Sequence, residues 1–237
     1  SVNKCCILRL GRDNPETAYS IGNCPLDSVS CQRDLGVLVS GNLKFHEHVD
    51  HICKKAMGVV ALILKNISSR NVHTIVDIYK TFARPQLEYA CEVWNPVYSV
   101  ADIEKIEAVQ RYFTRKLPNM QEICYQDRLK MVDLDTLEFR RLIRDLLFMY
   151  RLTHGLSIIN PDEMFELVDV GGRRRHSFYV RPPKFRLTSS KSFFSYRVVN
   201  PWNSLSDYVV TSSRISNFKE NLYRRKSRLL PFLHYKF

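Results

Sequence analysis

The sequence predicts an α+β protein that is predominantly α-helical, with a small β element at the N-terminus and a basic, mixed region at the C-terminus. Three observations predict it. Short β-prone runs are confined to residues 1–44. From Phe45 to Gly155 apolar residues recur at three-and-four spacing, the period of a helix with one buried face. Beyond Gly171-Gly172 the charge balance changes abruptly. The expected divisions are therefore a β element at 1–44, a helical bundle at 45–170 and a basic extension at 171–237.

Residues 4–10 read as a short apolar strand, punctuated by Asn14-Pro15, with Tyr19-Ser20-Ile21 expected to pair back after the turn. Leu35 to Val39 reads as another strand, ending at Ser40-Gly41-Asn42. A β element of this size is too small to be stable alone. Val49, Ile52, Cys53, Ala56, Val60 and Ile63 or Leu64 then trace the apolar face of a helix running to about Ile67. A second helix is expected from Val72 to about Phe82, with Ile75, Ile78, Tyr79 and Phe82 on one side. Pro85 lacks an amide hydrogen and crowds the preceding turn, so the helix bends or restarts there, continuing from Gln86 to Trp94. Asn95-Pro96 stops it.

Ser99 with Asp102 fits a capping box at the next helix start. Ile103, Ile106, Gln110, Phe113 and Leu117 form its mostly apolar face, and Glu107 and Arg111 are expected to pair on the other. Asp135 with Glu138 signals a further start. Phe139, Leu142, Ile143, Leu146, Leu147 and Tyr150 give that helix its core face, and Gly155 ends it. Residues 156–170 read as a short mixed segment, and Gly171-Gly172 as a linker. Phe178-Tyr179-Val180 reads as a strand broken by Pro182-Pro183, and Ser192–Trp202 and Ile215 to about Arg228 as helices.

Apolar residues make up 45 % and charged residues 25 % of the 237, which argues against wholesale disorder. The longest apolar run, Val59–Leu64, has 6 residues, against the 20 or so that a spanning helix needs, so no transmembrane protein is expected, and no membrane partner is assigned. No signal peptide and no initiator Met open the sequence, which begins within the apolar run Cys5–Leu8, so a fragment of a longer chain is expected. The 7 cysteines are odd in number and irregular in spacing, as reduced thiols of an intracellular protein would be.

The net charge of +12 is unevenly held. Residues 1–171 carry 21 Lys and Arg against 22 acids, whereas residues 172–237 carry 15 against two, Asp207 and Glu220. Charge concentrated in one segment points to a polyanionic partner. That segment interleaves Arg173, Arg174, Arg175, Arg181, Lys184, Arg186, Lys191 and Arg197 with Phe178, Tyr179, Phe185, Phe193, Phe194 and Tyr196. Arginines suit phosphates, and aromatics can stack on unpaired bases. Phe193-Phe194 and Trp202 read better as packing residues. Arg111, Arg115 and Lys116 fall on or near the polar face of the Ser99-capped helix, either as a second contact surface or as an ordinary exposed face. Arg224-Arg225-Lys226 with Arg228 reads as a nuclear-localisation-like run or as part of the same patch.

Catalytic signatures are lacking. There is no glycine-rich phosphate loop and no recognisable nucleophile motif. The one adjacent acidic pair, Asp162-Glu163, reads as charge compensation at a helix start. His46, His48, His51 and Cys53 have the residue types of a metal site, but structural zinc requires four converging ligands. They read as a polar helix start followed by a core cysteine, and no metal ligand is assigned.

Six stretches carry a family resemblance. They are Asn3-Lys4-Cys5 with the strand after it, RDLGVLVSGNLKFHEHVDHICKKA from Arg33, YKTFARPQLEYACEVWNP from Tyr79, IEKIEAVQRYFTRKLP from Ile103, YQDRLKMVDLDTLEFRRLIRDL from Tyr125 and FFSYRVVNPWNSL from Phe193. In this order the chain resembles the C-terminal part of a non-LTR (LINE-type) retrotransposon reverse transcriptase of the jockey or CR1 kind. The resemblance implies a palm-edge β element, a thumb-like helical domain and a C-terminal extension that bind template RNA and primer DNA and join the rest of the parent polymerase. It places the Mg²⁺-binding aspartates in the missing palm, so the chain itself would hold no cofactor and no catalytic residue. It also implies a nuclear and cytoplasmic life for the parent element. Ser206 stands where the family usually has proline, and Arg173-Arg174-Arg175-His176 matches the family only loosely. The alternative is a stand-alone helical nucleic-acid-binding module derived from such an element. An adaptor for anionic membranes is weaker, because no strongly basic amphipathic helix with a wide apolar face is evident.

Overall fold

The computed structural model describes residues 4–11, 14–67, 71–168, 176–182, 184 and 192–235. Helix accounts for 55 % of the chain and strand for 9 %, which bears out the predominantly helical α+β class.

The N-terminal β element consists of three two-stranded ribbons. β1 (Cys6–Leu8) runs parallel to β4 (Asp27–Val29). β2 (Ser20–Ile21) and β3 (Cys24–Pro25) form a tight hairpin, so the Tyr19–Ile21 segment pairs forward instead of back onto the first strand. β5 (Cys31–Asp34) and β6 (Val37–Ser40) form another hairpin. The strand expected from Leu35 to Val39 is β6, starting two residues later: Leu35 and Gly36, with φ of 42° and 89°, form the turn before it, as a two-residue hairpin requires. Gly41 joins the ribbons. Its amide donates to Ser30 O, its carbonyl accepts from Gly11 N, and a Cβ there would lie 2.6 Å from Arg9 O.

α1 (His46–Asn66) buries Val49, Ile52, Ala56, Val60 and Ile63, the stripe expected from spacing. It packs on α4 (Val100–Arg115), which buries Ile103, Ile106, Gln110 and Phe113. Between them the chain departs from expectation. α2 (Val72–Ile78) passes into a π turn, Tyr79–Ala83, then a 3-10 turn, Arg84–Leu87. The wider turn shifts the helical register. Ile75, Val76, Tyr79, Ala83 and Leu87 therefore face the core, and Phe82 is 59 % exposed. No continuous helix spans 86–94, because Ala90 takes a left-handed φ of 50° and α3 (Cys91–Trp94) is a single turn.

α5 (Tyr125–Met131) leads to α6 (Leu137–Thr153). The cap of α6 is Thr136, one residue later than expected, whose hydroxyl accepts from Phe139 N at 3.2 Å. Gly155, with φ of 66°, closes the helix as expected. After the 3-10 turn Pro161–Glu163, the expected strand at 178–180 reduces to one antiparallel bridge, Leu167 to Val180. The expected helices 192–202 and 215–228 each split, into α7 (Phe194–Arg197) and α8 (Val199–Asn203), and into α10 (Ile215–Arg224) and α11 (Lys226–Leu229). α9 (Asp207–Val210) lies between, and the 3-10 turn Leu230–Phe232 follows. The Gly171-Gly172 linker lies outside the described residues.

The core falls into two clusters that meet at the start of α6. The first runs from Val37 to Leu137 around Tyr79, Trp94 and Phe113. The second runs from Phe139 to Leu233 around Tyr150, Trp202 and Phe218.

Candidate nucleic-acid interface

The eleven cations singled out in the sequence have different fates. Arg173, Arg174, Arg175, Arg186 and Lys191 lie outside the described residues. Arg115, Lys116 and Lys184 are exposed. Arg111, Arg181 and Arg197 are engaged within the chain.

Arg197 is the clearest correction. It was expected to meet a phosphate, but its side chain is 1 % exposed. Nε and Nη2 grip the Asp145 carboxylate at 2.9 and 2.8 Å, while Nη1 donates to Ser192 O at 2.7 Å and Nη2 to Glu92 O at 2.6 Å. Asp145 also accepts from Asn95 Nδ2, and Asn95 Oδ1 accepts from Arg141 Nε at 3.0 Å. Asn95 stops α3, and Asp145 lies on the buried side of α6, so this polar chain ties α3, α6 and α7 together. Sequence reasoning missed Arg141 and Asp145, although both interrupt an apolar helical stripe.

Arg181 pairs with Glu166 at 2.5 Å, both well exposed, a pair of modest strength. Arg224 pairs with Glu220 at 2.7 Å, Arg225 donates to Ser206 Oγ at 3.0 Å, and Lys226 meets Asp135 at 2.7 Å. The run 224–228 is thus partly bound into the fold. Phe194 and Trp202 are buried, in accord with the packing reading, whereas Phe193 sits at the surface.

The end of α4 differs. Arg115 and Lys116 point outward from its last turn, and neither makes an ion pair among the described residues. The Lys116 ammonium lies 5.6 Å from the Tyr112 ring centre. The buried Arg128 of α5 donates to Thr114 Oγ1 at 3.1 Å and Ile123 O at 2.6 Å. Burial, then the cations of Arg115 and Arg111, pull its guanidinium below the usual range, with Tyr125 opposing. Arg111, one turn before Arg115, is held by Glu104 at 3.0 Å and by the Tyr235 hydroxyl. The expected Glu107–Arg111 pair does not form. Glu107 is fully buried, accepts from Leu137 N at 3.0 Å and from Tyr125 OH, and is pushed up by desolvation.

The four metal-like residues go separate ways. His46 Nδ1 meets Asp102, which therefore does not complete the reciprocal cap expected with Ser99. His48 is buried, not part of a polar helix start, and its Nδ1 accepts from Leu38 N at 3.2 Å. Burial, with His51 and Arg33 nearby, lowers His48 to about 4. His51 is exposed, and burial pushes the Cys53 thiol up to about 11. Among the described residues no three His, Cys, Asp or Glu side chains converge on one point. Asp162 and Glu163 are exposed on their 3-10 turn, with Asn160 capping Asp162 N. No helix among the described residues is long and apolar enough to cross a membrane.

Two curated relatives match part of the chain. Over 125 residues the chain is 25 % identical to an uncharacterized protein of Caenorhabditis elegans, covering 52 % of this chain and 63 % of that protein. Over 118 residues it is 30 % identical to a probable RNA-directed DNA polymerase from transposon X-element of Drosophila melanogaster, covering 48 % of this chain and 13 % of that protein. The chain thus spans less than two thirds of either relative, and the second match relates part of it to a transposon RNA-directed DNA polymerase. No family model and no solved structure matches the chain.

Proposed function

We propose that this chain is the thumb and C-terminal extension of a non-LTR, jockey- or CR1-like reverse transcriptase, and that it holds template RNA and primer DNA by their backbones. The observation that carries the reading is the end of α4, where Arg115 and Lys116 stand exposed without an ion pair among the described residues. Cations free of internal carboxylates can release counterions from a phosphate backbone. The match to a transposon polymerase supplies the kind of partner. Catalysis belongs to the rest of the parent enzyme, whose aspartates would hold Mg²⁺.

Fluorescence anisotropy with an RNA–DNA heteroduplex tests the reading. Binding is expected to be indifferent to sequence and to weaken about 10³-fold between 50 and 200 mM salt if about six phosphates are engaged. A flat salt response rejects it. Primer extension with Mg²⁺ should yield no product from this chain, and sustained nucleotide incorporation would overturn the division of labour.

A second reading is a free-standing nucleic-acid-binding module. It is favoured by the nematode relative, in which a 125-residue match already covers 63 % of the protein. A reading frame upstream that continues into an Asp-Asp box decides for the first reading. A start codon with its own promoter decides for the second.

A further inference from the structure

The C-terminal residues cross the faces of α4 and α6 as a strap. Leu233 is its last buried side chain among the described residues. Beyond it, the amides of His234 and Tyr235 donate to the Glu138 carboxylate at 2.8 and 2.9 Å. His234 Nε2 lies 3.7 Å from Glu104, a loose contact. Tyr235 reaches Arg111 with both its hydroxyl and its ring. The Arg111 guanidinium is thereby held between two aromatic rings, 5.4 Å from the centre of Tyr125 and 5.6 Å from that of Tyr235.

This arrangement has the parts of a nucleotide subsite: a guanidinium face, backed by Tyr125 and covered by Tyr235, on which a base can stack and whose N–H groups can reach a phosphate. Tyr235 fills it with equivalent chemistry, an oxygen on the guanidinium and an aromatic ring beside it. Arg111 also precedes the exposed Arg115 by four residues, on the same side of α4. We propose that the Arg111 guanidinium, backed by Tyr125, forms a subsite for one nucleotide of a single strand, and that the strap at 234–235 occupies it until nucleic acid displaces it. The proposal rests on the nucleic-acid reading above and adds a gate to it. Glu104 stays beside Arg111 after the strap leaves, which limits the gain to a modest factor.

The test is anisotropy of a fluorescein-labelled 12-nucleotide oligouridylate against the full chain and against the chain ended after Leu233. A strap closed most of the time predicts about 3–10-fold tighter binding by the shortened chain. The cut also removes Lys236, whose lost charge works against tighter binding, so a gain cannot come from added attraction. Arg111→Ala in the shortened chain should abolish the gain. Should the shortened chain not fold, as judged by its thermal melt, full-length Tyr235→Ala carries the same comparison. Equal or weaker binding by the strap-free form, or a gain that survives Arg111→Ala, overturns the gate while leaving the nucleic-acid reading intact. Absence of binding by every form rejects that reading, and the gate with it.

Discussion

The end of α4 and the buried seam around Arg197 both carry arginine, yet only one can offer charge to a partner. Residues 1–171 are nearly neutral, but their α4 presents Arg115 and Lys116 without ion pairs among the described residues. Residues 172–237 hold the whole formal excess, yet Arg197, Arg181, Arg224 and Lys226 there are each matched to a carboxylate, and only Lys184, Arg214, Lys219 and Arg228 stand exposed without an ion pair among the described residues. The difference teaches that formal charge and available charge are separate quantities. A carboxylate from the neutral part can claim a cation from the basic part, as Asp145 claims Arg197.

The comparison breaks most visibly at Arg197. Arg197→Ala leaves Asp145 buried and uncompensated, which should destabilise the fold by about 3–5 kcal/mol in urea unfolding. A loss below about 1 kcal/mol would return Arg197 to the candidate contacts.

Next comes pH. His48 is neutral when folded, near 4 against an ordinary 6.5, because it is buried. The unfolded chain therefore binds the proton first. The stabilisation is complete above pH 6.5 and declines as pH falls toward 4, by about 3 kcal/mol for this residue. Denaturation across that window measures it, and His48→Gln should flatten the slope there.

At the α4 end the expected effect is on binding. Reversing Arg115 and Lys116 to Glu should weaken heteroduplex affinity at least about 10-fold and reduce the salt slope by about 2, with stability changed by less than about 0.5 kcal/mol. The smallest effect is expected at Arg181, where Arg181→Gln should alter affinity less than about 2-fold, because Glu166 already matches its charge in an exposed pair. If the order of these two results were inverted, the basic segment would be the contact surface after all.

Glu107 separates a polar group's charge from its shape. Desolvation raises it, so the ionised form costs stability as pH rises through its folded value, whereas its oxygens still receive Leu137 N and Tyr125 OH. Glu107→Gln should change stability by less than about 1 kcal/mol and Glu107→Ala should cost about 2, as read by thermal melts.

Much of the helical frame was legible because α1, α4 and α6 bury one continuous stripe, which the spacing of Val49 to Ile63, Ile103 to Phe113 and Phe139 to Tyr150 displays. Where backbone geometry departs from the simple period, spacing misled. The π turn turns Phe82 outward, Ala90 takes a left-handed conformation, and Leu35 occupies a hairpin turn that its side chain does not favour. The site was less legible. Glu107 and Arg197, expected on a polar face and at a phosphate, are buried together with the unanticipated Arg141 and Asp145, and all four are largely matched to one another or to the backbone. Pairings across 52 residues, such as Arg197 with Asp145, leave no local signal. Arg141 is the extreme case: among the described residues its two terminal nitrogens have no hydrogen-bond partner.

The placement of α6 bears on how the molecule comes apart. Leu137 at its start belongs to the first apolar cluster and Phe139 onward to the second, while Arg140 and Arg144 reach across to Glu88 and Glu92. Fraying α6 would open both clusters together, so its central amides should be among the last to exchange with deuterium, at the rate of global unfolding. One helix would thus make two cores melt as a single cooperative unit.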